Sequence, residues 1–159
     1  MPNASSTPIA LLVTPMSPSE AAQRVSVQAQ QDVLSARQQA RQLAASLGFG
    51  AADQTRLATA ISELTRNAIM YAGAGECLLW DDSDAKTLRI RVAVTDQGPG
   101  IADLALALRD GYSTSGGLGA GLPGTRRLVD QFSITSDPAS GTRVEISLER
   151  ARVALRRRL

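Results

Sequence analysis

A two-layer α/β sandwich, with helices on one face of a mixed, mostly antiparallel sheet, is the fold class this sequence predicts. Three observations predict it. The strand-like stretches come as hairpins: Glu76–Trp80 with Leu88–Thr95 across the acidic loop Asp81–Lys86, and Phe132–Ser136 with Thr142–Leu148 across Asp137-Pro138-Ala139-Ser140-Gly141. The helical stretches come in pairs, giving the order β-α-α-β-β-α-α-β-β rather than the alternation of a doubly wound sheet. The length, 159 residues, suits one domain able to bury a core without disulfide or metal staples.

Each element has its own signal. Residues 1–22 hold four of the seven prolines with many Ser, Ala and Thr, the composition of a disordered leader. Arg24–Gln28 alternates polar and apolar residues, as a short strand does. From Asp32 to Leu47, Val33, Leu34, Ala40, Leu43, Ala44 and Leu47 recur at helical spacing, and Gly48 and Gly50 stop the helix. Asp53 stands as the N-cap of a second helix whose stripe is Leu57, Ile61, Leu64, Ala68 and Tyr71, ended by Gly73 and Gly75. In Leu88–Thr95 the residues Leu88, Ile90, Val92 and Val94 mark one buried face. A short helix is expected over Ala102–Arg109, a loop over 110–118, a helix from about Ala120 to Gln131, and then the final hairpin. This divides the chain into a leader (1–22), one domain (23–148) and a basic tail (149–159).

Composition excludes several classes of function. There is no histidine, which removes the usual histidine zinc site, a Ser–His–Asp triad and phosphorylation on a histidine of this chain. The lone cysteine, Cys77, rules out an internal disulfide framework and suits a reducing cytoplasm. Net charge is +2, yet the last eleven residues carry five arginines and one glutamate. The remainder has 12 basic and 14 acidic groups, a net of −2. With few aromatics, that body does not read as a nucleic-acid surface. The longest early apolar run, Ile9–Val13, is far too short to span a membrane, and the N-terminus lacks the basic residues of a secretory signal.

Three constellations carry chemistry. In Ser62–Asn67, Glu63 and Asn67 lie four apart and share one helix face beside an apolar stripe. A carboxamide oxygen can join the water-rich shell of a magnesium ion, and a carboxylate can take a proton from an attacking hydroxyl. In Asp96-Gln97-Gly98-Pro99-Gly100, a carboxylate that only accepts hydrogen bonds ends a buried strand. Adenine offers an amino donor where guanine offers an acceptor, so Asp96 would select adenine, with Gly98 and Gly100 letting the base approach. In Gly116–Gly124, five glycines in nine positions lead into a helix, where free N–H groups and the helix dipole favour phosphate. No Lys-Ser/Thr follows, so this is not a P-loop. Taken singly, each stretch also fits an ordinary surface helix, turn or flexible loop; it is their order along one chain that points to a nucleotide.

The series E-x-x-x-N, D-x-G-x-G and G-L-G-x-G-L, as it stands here over about residues 24–148, resembles the GHKL (Bergerat-fold) ATP-binding superfamily. Within it, the run Gly111-Tyr112-Ser113-Thr114-Ser115 into the glycines is similar to the switch kinases of bacterial stress-response modules. The resemblance implies ATP and Mg2+ as cofactors and Glu63 as general base. It implies Asn67 as magnesium ligand and Asp96 as adenine contact, flanked by Gly98 and Gly100. Gly117, Leu118, Gly119, Gly121 and Leu122 would form the phosphate loop, and Thr142 would support Asp96 through a shared water. Arg66 and Arg109 are looser candidates for phosphate contacts, and Ile101–Ser115 would be the ATP lid. The implied activity is serine/threonine phosphorylation of STAS-domain scaffold and antagonist proteins, with activation of a PP2C-type phosphatase by binding. The alternative is an anti-sigma factor or ATP-dependent binding switch that needs no kinase turnover.

Overall fold

The computed structural model describes residues 23–101 and 121–153. In them the alternating stretches become strands and the 3.6-residue stripes become helices. The order is β1 (Gln23–Val27), α1 (Gln30–Leu47), α2 (Ala51–Ala72), β2 (Gly75–Asp81), β3 (Thr87–Asp96), α3 (Gly121–Leu128), β4 (Gln131–Asp137) and β5 (Gly141–Ala151). The leader, the expected helix over 102–109, the loop after it and the end of the tail lie outside the described residues.

The strands form one five-stranded sheet in the order β1-β2-β3-β5-β4. All four pairings are antiparallel, so the described sheet is antiparallel throughout rather than mixed and mostly antiparallel as the sequence predicts. Strand period two gives it two faces. One face presents Val25, Val27, Cys77, Leu79, Ile90, Val92, Val94, Val144, Ile146 and Leu148 to the helices. Against it α1 sets Val33, Ala36, Ala40 and Ala44, and α2 sets Leu57, Ala60, Ile61, Leu64 and Ala68. The alanines of α1 let it lie close to its neighbours. Leu34, counted in the stripe from sequence, is 55% exposed, because it is one residue from Val33 and therefore turned about 100° away.

Both helix starts differ from the expectation. α1 begins at Gln30, and Asp32 at its third position reaches back to accept from the N–H groups of Ala29 (3.0 Å) and Gln28 (2.8 Å). α2 begins at Ala51 with Gly50 as N-cap, so Asp53 is not the cap. It sits in the first turn, where a carboxylate favours the helix dipole, and it takes both oxygens to Arg150 at 2.7 and 2.9 Å. That contact corrects the C-terminal boundary as well. β5 runs on through Glu149, Arg150 and Ala151, paired with β3 from Leu148 opposite Ile90 to Ala151 opposite Thr87. These residues belong to the sheet rather than to a tail.

Candidate functional site

The site is built at the end of β3, where it meets the last turn of α2 and the start of β5. Asp96 closes β3 directly opposite Thr142 of β5. Its Oδ1 accepts from the N–H of Gly98 at 2.9 Å and from that of Thr142 at 3.3 Å. Both of these backbone donors use one oxygen, which orients the carboxylate. An ionised carboxylate has only acceptor capacity, which is the property an adenine amino group needs.

The glycines around Asp96 serve close packing. A Cβ on Gly98 would stand 2.6 Å from the Cβ of Ala72, so only glycine lets this loop press against the end of α2. Gly100 has φ +80°, and a Cβ there would meet the Asp137 carbonyl at 2.8 Å. The sequence reading gave these two glycines to the approach of a base; in the structure their bare Cα positions face protein. Gly141 is the tightest case: with φ +79°, its Cβ would fall 2.0 Å from the Asp96 carbonyl oxygen. The β4–β5 turn can therefore close against Asp96 only through a glycine.

Thr142 lies opposite Asp96, and its backbone N–H makes the contact between them. Its hydroxyl shares a 2.7 Å hydrogen bond with Ser136 Oγ, which also accepts from the Ile101 N–H at 2.7 Å. Ser136 was missed by the sequence reading. A signal existed: Phe132, Ile134 and Ser136 alternate on the inward side of β4, and Ser136 pairs with Thr142 in register. The trio fixes the point where the chain leaves for residues 102–120.

Helix α2 brings the second constellation to the same end of the sheet. Glu63 and Asn67 are both partly exposed on it, between the buried residues Ile61, Leu64 and Ala68. Glu63 Oε1 accepts from Arg66 at 3.2 Å, with the Glu63 side chain 17% exposed and that of Arg66 43%. Arg66 is thus a neighbour of the acid. Among the described residues no three Asp, Glu, Cys or His gather at one point. A cation beside Asn67 would be held by few protein oxygens together with phosphate and water, the habit of magnesium rather than calcium or zinc. Tyr71, placed in the buried stripe from sequence, is 49% exposed. It stands one turn beyond Asn67, on the site side of the helix.

The third constellation is present at its C-terminal end. Gly121 opens α3 with φ +62°, Leu122 joins the same core cluster as Leu64 and Ala68, and Thr125 Oγ1 donates to the Gly121 carbonyl at 3.0 Å. α3 packs against α2. Gly117, Leu118, Gly119, Arg109 and all of the expected lid beyond Ile101 lie outside the described residues. A groove of about 320 Å³ lies elsewhere, on the sheet face away from the helices and lined by Arg91, Gln131, Ser133, Glu145 and Ser147. It contains none of the three constellations.

So a helix bearing Glu63 and Asn67 touches both the Asp96 loop and the helix that follows the glycines. The model of the histidine kinase-, DNA gyrase B- and HSP90-like ATPases matches residues 52–152. The chain belongs to this ATPase family. One member, the serine/threonine-protein kinase RsbT of Bacillus subtilis (strain 168), is 46% identical over 121 residues, 76% of this chain and 91% of its own. Among solved structures, the mycobacterial sensor histidine kinase MprB aligns over 82% of this chain and 97% of its own, at 19% identity and TM-score 0.49. The histidine kinase domain of the Erythrobacter litoralis EL346 blue-light activated histidine kinase aligns over 73% and 59%, at 22% identity and TM-score 0.45. The ATPase family's nucleotide chemistry therefore frames the geometry above. No helix among the described residues is long and apolar enough to cross a membrane.

Proposed function

We propose that this chain is an ATP-dependent protein serine/threonine kinase of a bacterial stress-response partner-switching module, working in the cytoplasm. Its substrates are STAS-domain proteins, and when released from them it activates a PP2C-type phosphatase by binding. The observation that carries the reading is α2 itself: it holds Glu63 and Asn67 one turn apart and ends with Ala72 against the Asp96 loop, in a chain 46% identical to a named serine/threonine-protein kinase.

In this reading Asp96 Oδ2 accepts from the adenine amino group. The N–H groups at the start of α3 and the glycines before it hold phosphate oxygens. Asn67 would hold Mg2+, which supplies charge neutralisation on the phosphates when bound. Glu63 accepts the proton of the incoming serine or threonine hydroxyl as its oxygen bonds to the γ-phosphorus. The bond from that phosphorus to the bridging oxygen breaks, and ADP leaves with the electron pair.

The test is intact-mass measurement of a STAS-domain partner incubated with Mg·ATP and this protein, or with Glu63→Gln. The wild type adds one phosphate. Glu63→Gln slows the transfer by on the order of 100-fold or more, while calorimetry gives it an ATP affinity close to wild type. Equal labelling by both proteins, or none by the wild type, overturns the kinase assignment. A phosphatase pull-down that survives Glu63→Gln supports activation by binding.

A further inference from the structure

The sheet face away from the helices is polar over most of its area. Arg24–Glu76, Arg89–Glu149, Arg91–Asp82, Arg91–Glu145 and Arg143–Glu145 pair across its strands. At its centre, however, Leu78, Trp80 and Ala93 form an apolar cluster separate from the core, with no helix residue in it. These three are 2%, 1% and 0% exposed. A tryptophan on an outward face is buried to that degree only under a roof. The Arg91 guanidinium lies 4.0 Å from the ring centroid, a cation–π contact that covers one ring and leaves Leu78 and Ala93 to be covered by something else.

Polar atoms at the same end of the sheet point to what that is. On this outer face Trp80 Nε1 and Arg89 Nε are buried without a hydrogen-bond partner among the described residues. Buried polar groups are nearly always paired, and a backbone laid over these two donors would offer them carbonyl acceptors. The chain itself supplies a segment. Gln23, where β1 begins, pairs with Leu79, so residues 1–22 enter the sheet beside Trp80. They contain the apolar run Ile9–Val13, and the nine residues between it and Gln23 reach about 30 Å when extended. The other two stretches fit less well. Residues 102–120 leave from Ile101, held by Ser136, and return at Leu122 in the core on the helix side. Residues 154–159 are half arginine.

We propose that the N-terminal segment folds back over the outer face of the sheet, seating Ile9–Val13 on Leu78, Trp80 and Ala93 and pairing the Trp80 indole N–H with one of its carbonyls. The leader then closes the second face of a sheet that has helices on only one side. This stands independently of the kinase reading.

Trp80 is the only tryptophan, so its fluorescence reports the contact directly. In the full chain, Leu11→Asp with Leu12→Asp should shift its emission to the red and raise acrylamide quenching severalfold, with far-UV circular dichroism and ATP binding unchanged. Ser5→Asp with Ser6→Asp, which adds the same charge off the apolar run, should not. Amide hydrogen exchange on the unaltered chain gives a second readout: the amides of 9–13 should be protected. An unmoved tryptophan signal, or exchange there at the unprotected rate, overturns the proposal and leaves Arg91 as the roof. A signal that follows protein concentration, with a dimer in sedimentation, also overturns it, because a second copy is then the cover.

Discussion

At the scale of single residues the site depends on where one carboxylate oxygen points. Two backbone N–H groups hold Asp96 Oδ1, so Asp96→Asn must place either its NH2 against those donors or its NH2 towards the ligand. Either choice loses a hydrogen bond. ATP binding should weaken by about 1–3 kcal/mol in calorimetry, and an unchanged affinity would remove the adenine assignment. Gly141 sets the same carboxylate from behind. Because φ is +79° and a Cβ would lie 2.0 Å from the Asp96 carbonyl oxygen, Gly141→Ala should cost about 1–3 kcal/mol or more of stability in urea unfolding. It should weaken ATP binding too, since the turn it displaces carries the Thr142 N–H. The sequence reading found Asp96 from its place among glycines. It could not see that Gly98 and Gly100 face Ala72 and Asp137, because residue type alone does not say which neighbour comes close.

At the scale of elements, periodicity located every described helix and strand but not the ends that tertiary contacts decide. A stripe of Leu57, Ile61, Leu64, Ala68 and Tyr71 is regular, yet the opposing layer stops before the last turn of α2, and Tyr71 emerges beside the site. β5 is the converse. Its arginine-rich end looks like a tail in one dimension, but Arg150 spans 97 positions to hold both oxygens of Asp53 and also donates to Asp130 at 2.8 Å. The Asp53 hydrogen bond, and then that of Asp130, hold the Arg150 guanidinium above its ordinary pKa. The pair is bidentate but about a third exposed on the arginine side, so solvent weakens it. Arg150→Ala should lower stability by about 1 kcal/mol in chemical denaturation. Arg150→Lys should recover only part of that, because the planar fork is lost. No loss in either variant would return Glu149–Ala151 to the status of a loose end.

At the scale of the whole molecule, a single thiol reports on the interior. Cys77 is fully buried in the core, and burial, then the Glu76 charge, push it from 9.0 up to about 12. Between those values the unfolded chain loses this proton and the folded chain keeps it. The group's contribution is intact below pH 9.0, and it is lost as pH rises through about 12, at up to about 1.4 kcal/mol per pH unit. Urea melts of wild type and Cys77→Ala on either side of pH 9.0 should therefore converge as pH rises; a constant difference would place the thiol in contact with solvent. The sequence by itself determined the layers, the order of the described elements and the positions of Glu63, Asn67 and Asp96 along them, because hydrophobic period and glycine spacing are local properties of the chain. Only the tertiary structure decided that Asp96 is aimed by Gly98 and Thr142, that Ser136 ties Ile101 to Thr142, and that Arg150 belongs to the sheet. Each of these joins residues far apart in sequence, and such a contact exists only once the sheet register has brought them side by side.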